Sequence, residues 1–255
     1  MRFHHPEPGT CSEQGMKSLP LIRPQDTHYD RKSFFSYACH GCSHCCYHKT
    51  IHLNPYEVAR LAQNRAMSTT AFLDRYTAEN GTALRQKENG ACIFLTPQGC
   101  SVHPDRPLVC RLYPLGRRVT SEGEEWFEEL APEPKTKGEY GTTGTVAQFL
   151  TQQGARPFIE AVDRYVEMAA KMSHVIQAYT QSDPTLQQHV QDMVKGILEG
   201  QEQGVPAILD MDQVVGSWCA DRGLPMPSDI NEKMSLHILI TEEWLKTNNR
   251  EPGGI

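Results

Sequence analysis

Several kinds of segment are missing from this chain, and each absence removes a class of protein. No run approaches the ~18 apolar residues that a membrane span requires. The first residues, Met1-Arg2-Phe3-His4-His5-Pro6, hold no apolar stretch of the signal-peptide kind. A surplus of basic charge is also missing: 25 Lys and Arg stand against 31 Asp and Glu. Non-specific nucleic-acid binding therefore lacks its electrostatic footprint. No internal repeat, low-complexity tract, Walker loop, His-Glu-x2-His or Ser-His-Asp order is found. These absences lead us to expect a soluble, cytoplasmic protein with neither membrane nor nucleic acid as partner.

Cysteine is what the chain does not lack. Cys39-His40-Gly41-Cys42-Ser43-His44-Cys45-Cys46 packs four thiols into eight residues, too densely for ordinary core packing. Cys92, Cys100 and Cys110 follow, while Cys11 and Cys219 stand apart. In a reducing cytosol clustered thiols read as ligands or reactive groups, and an odd total of nine fits a paired disulfide framework poorly. Cys39, Cys42, Cys45, Cys46, Cys92, Cys100 and Cys110 are thus read as a metal or metal-cluster site. Cys219, beside Trp218 on an amphipathic segment, is read as a small buried apolar residue.

Along the chain, residues 1–33 read as an N-terminal arm. Phe34-Phe35-Ser36-Tyr37 anchors the cysteine loop, and Thr50-Ile51-His52-Leu53 suggests a short strand. Asn54 with Pro55 opens one helix; Ser68 or Thr69 opens a second, which Asn80-Gly81 closes. A hairpin turning at Pro97-Gln98-Gly99 would bring Cys92 near Cys100, and a second turns at Glu122-Gly123. Residues 131–144 read as a loop whose glycines, Gly138, Gly141 and Gly144, make a flexible connector. Thr145 with Gln148 matches a capping box. Helices are expected over 156–180, 184–199, 211–222 and 228–247, with Phe158, Tyr165, Met168 and Met172 facing the core. The fold class is α+β: a small Cys-rich metal-binding domain of short hairpins and helices (34–144), then a mainly helical C-terminal half (145–255).

Thiolates select zinc, iron–sulfur clusters or copper(I). The run C-x2-C-x2-C is similar to the ferredoxin loop that supplies three ligands to one [4Fe–4S] cluster. Adjacent Cys45 and Cys46 cannot easily direct both sulfurs at one metal, so either one is a spectator or the two serve different atoms. Seven sulfurs exceed one mononuclear site. Four for a cubane leave three, which with His103 or His44 would make a Cys3His zinc site. His40, His48 and His52 flank the site as polar neighbours. Arg106, Arg111, Arg117 and Arg118 place positive charge nearby, to stabilise a cluster's negative charge or to bind an anion. Glu122, Glu124, Glu125, Glu128 and Glu129 read as a solvated face.

The motifs C39-x2-C42-x2-C45-C46, Cys92-Ile93-Phe94-Leu95, Gly99-Cys100-Ser101-Val102-His103 and Arg106-Pro107-x2-Cys110-Arg111-x-Tyr113-Pro114-Leu115 resemble the YkgJ-type cysteine-cluster family. That family is described as a zinc- or iron-chelating domain, and the resemblance runs over about 34–130. It implies that the seven cysteines are the metal-binding set. Members often carry an eighth cysteine followed by Pro-Gly where this chain has Ala131-Pro132-Glu133, leaving a histidine or an exogenous ligand to substitute. Flagellin lysine N-methylases, which depend on an iron–sulfur cluster and S-adenosylmethionine, are similar at greater distance, a kinship that does not transfer function.

The leading expectation is an iron–sulfur protein, [4Fe–4S] in type, whose cluster and helical half form a site for a protein or small-molecule substrate and serve a transfer or modification reaction. The alternative is a non-enzymatic module in which Zn2+ is structural and the helices bind a partner. The sequence leaves open whether the chain is an enzyme.

Overall fold

In the computed structural model, which describes residues 28–78, 81–133, 135–182 and 207–248, side-chain caps fix where most helices begin. Helix α1 (Pro55–Asn64) starts at Asn54, whose side chain accepts from Glu57 N while Glu57 Oε2 accepts from Asn54 N. That reciprocal capping box satisfies two otherwise orphaned amides. Its buried face is Tyr56, Val58, Ala59, Leu61 and Ala62. Helix α2 (Thr69–Tyr76) starts at Ser68, which accepts from Ala71 N. Helices α3 (Leu108–Leu112), α4 (Val146–Gln152), α5 (Arg156–Ser182), α6 (Met211–Asp221) and α7 (Ile230–Asn248) follow. The expected Thr145–Gln148 capping box opens α4. The helix expected at 184–199, Cys11 and most of the N-terminal arm lie outside the described residues.

The strands form four antiparallel pairs: β1 (Phe34–Ala38) with β8 (Glu139–Thr145), β2 (Thr77–Ala78) with β3 (Ala83–Leu84), β4 (Leu95–Thr96) with β5 (Gly99–Cys100), and β6 (Leu115–Val119) with β7 (Glu125–Glu129). With seven helices among the described residues, the fold is α+β, Cys-rich first and helical second.

Four local expectations need correction. Helix α2 stops at Tyr76 rather than at Gly81, because Thr77 and Ala78 turn back to pair with Leu84 and Ala83. Residues 50–53 contribute one bridge, His52 to Ala83, instead of a strand. Residues 139–145 are a strand and not a connector; their glycines serve close approach. A Cβ on Gly138 would overlap the Tyr37 hydroxyl, and one on Gly141 would crowd Ser36 Oγ. The carboxylates of β7 are partners rather than a solvated face: Glu125 bonds Arg31 and Arg117, and Glu129 accepts from the Tyr29 hydroxyl. Several of these partners come from distant sequence, as β1 does for β8 and Arg31 and Tyr29 do for β7.

One core cluster crosses residue 144, joining Phe35, Tyr56, Leu108 and Phe127 to Phe149, Phe158, Met211 and Ile238. A second joins Leu53, Val58, Leu61, Phe72, Phe94 and Val102 to Leu209. Polar bonds reinforce the junction. Thr69 Oγ1 donates to Asp210 Oδ1 (2.6 Å), and Asp212 Oδ2 accepts from Thr69 N (2.9 Å). Phe158, Tyr165, Met168 and Cys219 are buried as expected.

Candidate metal centre

The cysteines are delivered by four separate pieces of backbone. Strand β1 ends at Ala38 and hands Cys39 to a tight loop in which Ser43 adopts positive φ before the 3-10 turn His44–Cys46. Zipper-like backbone bonds then lay this loop beside the next cysteine: His48 N donates to Gly90 O (2.8 Å) and Cys92 N to Cys46 O (2.8 Å). Gly90 is obligatory here, because its φ is +77° and the His48 ring occupies the space a side chain would need. Leu95 N donates to Cys92 O (2.9 Å), and Leu95 pairs with Cys100 across the β4–β5 hairpin. Cys110 rides on α3, whose first amide, Leu108 N, donates to Glu57 Oε1 (2.7 Å).

All seven candidate cysteines, with Cys219, are free thiols. Their charges act on one another: Cys45, Cys110 and Cys100 raise Cys46, and Cys92, Cys100 and Cys45 raise Cys110. Cys42 feels Cys45, while Cys39 and Cys45 bear together on Tyr37. Cys110 is open to solvent, yet the protein packed around its sulfur pushes the thiol up, and neighbouring Cys92 and Cys100 push it further. Burial likewise raises Cys92, with Cys100 adding to it. In the adjacent pair each thiol acts on the other, lowering Cys45 and raising Cys46. Backbone amides aim at two of the sulfurs: Gly41 N at Cys39 Sγ and Lys137 N at Cys42 Sγ, each 3.5 Å. The His44 amide first, then that of Lys137, lowers Cys42.

This donor set fits a soft or borderline metal. Thiols that raise one another's proton affinity are relieved by a bound cation, which inverts the local charge balance. Amide-to-sulfur bonds are among the contacts that tune iron–sulfur clusters. Among the described residues, no three His, Cys, Asp or Glu side chains are drawn together as a ready-made site for one ion. Closure on a metal would therefore accompany binding.

The other candidates are placed as follows. His103 is exposed, with Arg106 Nη1 3.4 Å from its Nδ1. His40 pairs with Glu139 (3.1 Å), and His52 lies in the bridge to Ala83. Of the four arginines, Arg106 alone feels these thiolates, from Cys110, Cys100 and Cys39; Gln153 Oε1 and His103 O hold it at 2.7 Å each. Arg111 turns away, donating to the carbonyls of Arg106, Pro104 and Gln153 and stacking 3.9 Å from the Phe158 ring. Burial, then Arg106, pulls Arg111 down to about 10. Arg117 pairs with Glu125 and Asp163, and Arg118 with Glu128.

Glu57 and Tyr37 belong to the site's support; sequence reasoning placed Tyr37 in the anchor of the cysteine loop and did not single out Glu57. Asn54-x2-Glu57 has capping-box spacing, which was the available signal for Glu57. Tyr37 packs edge-on against Tyr113 and Tyr140, 6.0 and 5.1 Å between ring centres. A groove of about 820 Å³ runs between the β1–β8 ribbon and α4, lined by Phe35, Tyr37, Ala38, Tyr140, Phe149 and Gln152 among others. Ala38 directly precedes Cys39.

Fold and donor set together define a sulfur-rich, metal-chelating module. Residues 38–132 match the CxxCxxCC family, described as a "Putative zinc- or iron-chelating domain", so the resemblance read from the cysteine motifs holds. Metal binding is what that family assignment supports. No curated protein and no solved structure matches the chain. No described helix is long and apolar enough to cross a membrane.

Proposed function

We propose that Cys39, Cys42, Cys45, Cys46, Cys92, Cys100 and Cys110 hold an iron–sulfur centre of the [4Fe–4S] type, beside a site for a protein or small-molecule substrate. The observation that carries this reading is a set of seven free thiols within the span that matches the chelating family, two of them receiving backbone amides. A cubane takes four of the seven sulfurs, which leaves three for a second metal. His103, with its Nδ1 facing Arg106, is a poor fourth ligand for the zinc alternative. When bound, such a cluster supplies electron transfer or an open iron position. The chain's own residues then orient the substrate. The groove that reaches Ala38 supports a transfer or modification reaction at the edge of the centre, with Tyr37 offering aromatic surface and Gln152 a polar contact.

Anaerobic purification tests this. The protein should be brown, with broad visible absorption and about four iron and four sulfide per chain for one cubane. A colourless protein with one zinc and no iron would overturn the iron–sulfur reading.

A further inference from the structure

We infer that Arg111, with Arg106 beside it, is the positioning residue of the metal centre. Its guanidinium locks the connection between Cys100 and Cys110 into one shape and ties it to the end of α4. The inference rests on the metal-centre reading above. Arg111 is 5% exposed, and a cation that deep ordinarily has a carboxylate partner. None of the described carboxylates is bonded to it: Asp105, in the same turn, accepts from Arg60 and Asn64 instead. Arg111 directs its donors at main-chain carbonyls. Nε donates to Arg106 O (2.9 Å), Nη1 to Gln153 O (2.8 Å) and Nη2 to Pro104 O. The Phe158 ring centre lies 3.9 Å from the guanidinium carbon and keeps it in place.

Pro104 and Arg106 lie between the two thiols in sequence, and Gln153 closes α4. Arg111 follows Cys110 directly on α3, so each bond it makes fixes the backbone that carries that thiol. At the other end Ser101 N donates to Phe94 O (2.9 Å), seating Cys100 on its hairpin. Arg106 adds a second brace, from Nη1 to His103 O and from Nη2 to Gln153 Oε1, 2.7 Å each. A guanidinium suits this role because its N–H groups leave one rigid plane in fixed directions. An ammonium is a point charge and cannot span the carbonyls of 104, 106 and 153 together. A preset Cys100–Cys110 connection lowers the ordering that metal binding must otherwise supply. Because α4 also lines the groove, the brace joins the groove wall to the turn that bears Cys110.

The test compares wild type, Arg111→Lys, Arg111→Met and Arg117→Met after anaerobic reconstitution with iron and sulfide, or with cobalt if the centre takes zinc. Arg111→Lys keeps the charge and loses the fork. Arg117→Met breaks the bonds of another enclosed arginine, to Glu125 and Asp163, neither of them on the Cys100–Cys110 connection. Both Arg111 variants should lose metal to a chelator about 10-fold faster, the scale on which removing a metal-site partner acts, and their visible bands should shift. Arg117→Met should lose stability in urea and match wild type in both metal readouts. Gln153→Ala removes the acceptor of Arg106 alone and should give a smaller loss of retention; it decides the question if the Arg111 variants do not fold. Wild-type retention and bands in Arg111→Lys overturn the inference alone, because charge then suffices without the fork. So does an equal metal loss in Arg117→Met, or, where only Gln153→Ala folds, unchanged retention in that variant. A wild type that takes up no metal overturns the proposed function with it.

Discussion

Glu57 Oε1 accepts the amide of Leu108 at 2.7 Å. Its other oxygen accepts from Asn54 N at 3.1 Å, inside the capping box of α1. One buried carboxylate thus ties the start of α1 to the start of α3, and α3 carries Cys110. Replacing Glu57 with Ala removes the cap's reciprocal bond and leaves two amides unpaired. We expect a loss of about 2 kcal/mol in urea unfolding. Weaker metal retention should accompany it, since the turn bearing Cys110 loses its anchor.

Gly138 controls the other wall. The Tyr37 hydroxyl fills the position of the missing side chain, and Tyr37 is braced by Tyr113 and Tyr140. Gly138→Ala should therefore cost about 1–3 kcal/mol, as overpacking of a braced ring does. Thermal unfolding checks this, and the variant should also lose metal faster because Tyr37 adjoins Cys39 and Cys45.

The adjacent pair gives a direct prediction. Cys46 lies against the next cysteine segment through the bond from Cys92 N to its carbonyl. If the two adjacent sulfurs serve different metal atoms, Cys45→Ser and Cys46→Ser should each lower metal per chain. Elemental analysis measures this, and full occupancy in either variant would make that cysteine a spectator. Chelation of wild type should lower Tm, because a ligand bound only by the native state stabilises it by mass action.

His237 predicts an acid-sensitive helical half. It is fully buried, its Nδ1 is 3.1 Å from the Tyr165 hydroxyl, and its Nε2 has no described partner. Burial pulls it down to about 4, with Asp210 opposing. The unfolded chain, titrating near 6.5, binds more protons between those values, so stability is complete above pH 6.5 and falls as pH drops toward 4. The full drop corresponds to about 3 kcal/mol. Urea unfolding at pH 7.5 and 5 should show about 2 kcal/mol of this loss in wild type and less in His237→Asn.

The sequence by itself determined the features that depend on near neighbours. Asn54, Ser68 and Thr145 start helices because a side-chain oxygen meets an amide a few residues on. The β4–β5 and β6–β7 hairpins turn where expected for the same local reason. Cysteine spacing was enough to pick out a chelating set, since the density of thiols is a property of composition and order.

Only the tertiary structure decided what each group faces. The glycines at 138, 141 and 144 read as a connector until β1 lay against them and used the absence of their side chains. Arg111 and Arg106 are equivalent in sequence, yet one clamps carbonyls while the other meets thiolates. Glu57 reads as a helix residue and becomes the anchor of the turn that carries Cys110. Such roles are set by partners far away in the chain, chosen by packing and burial, and short-range pattern holds no record of them.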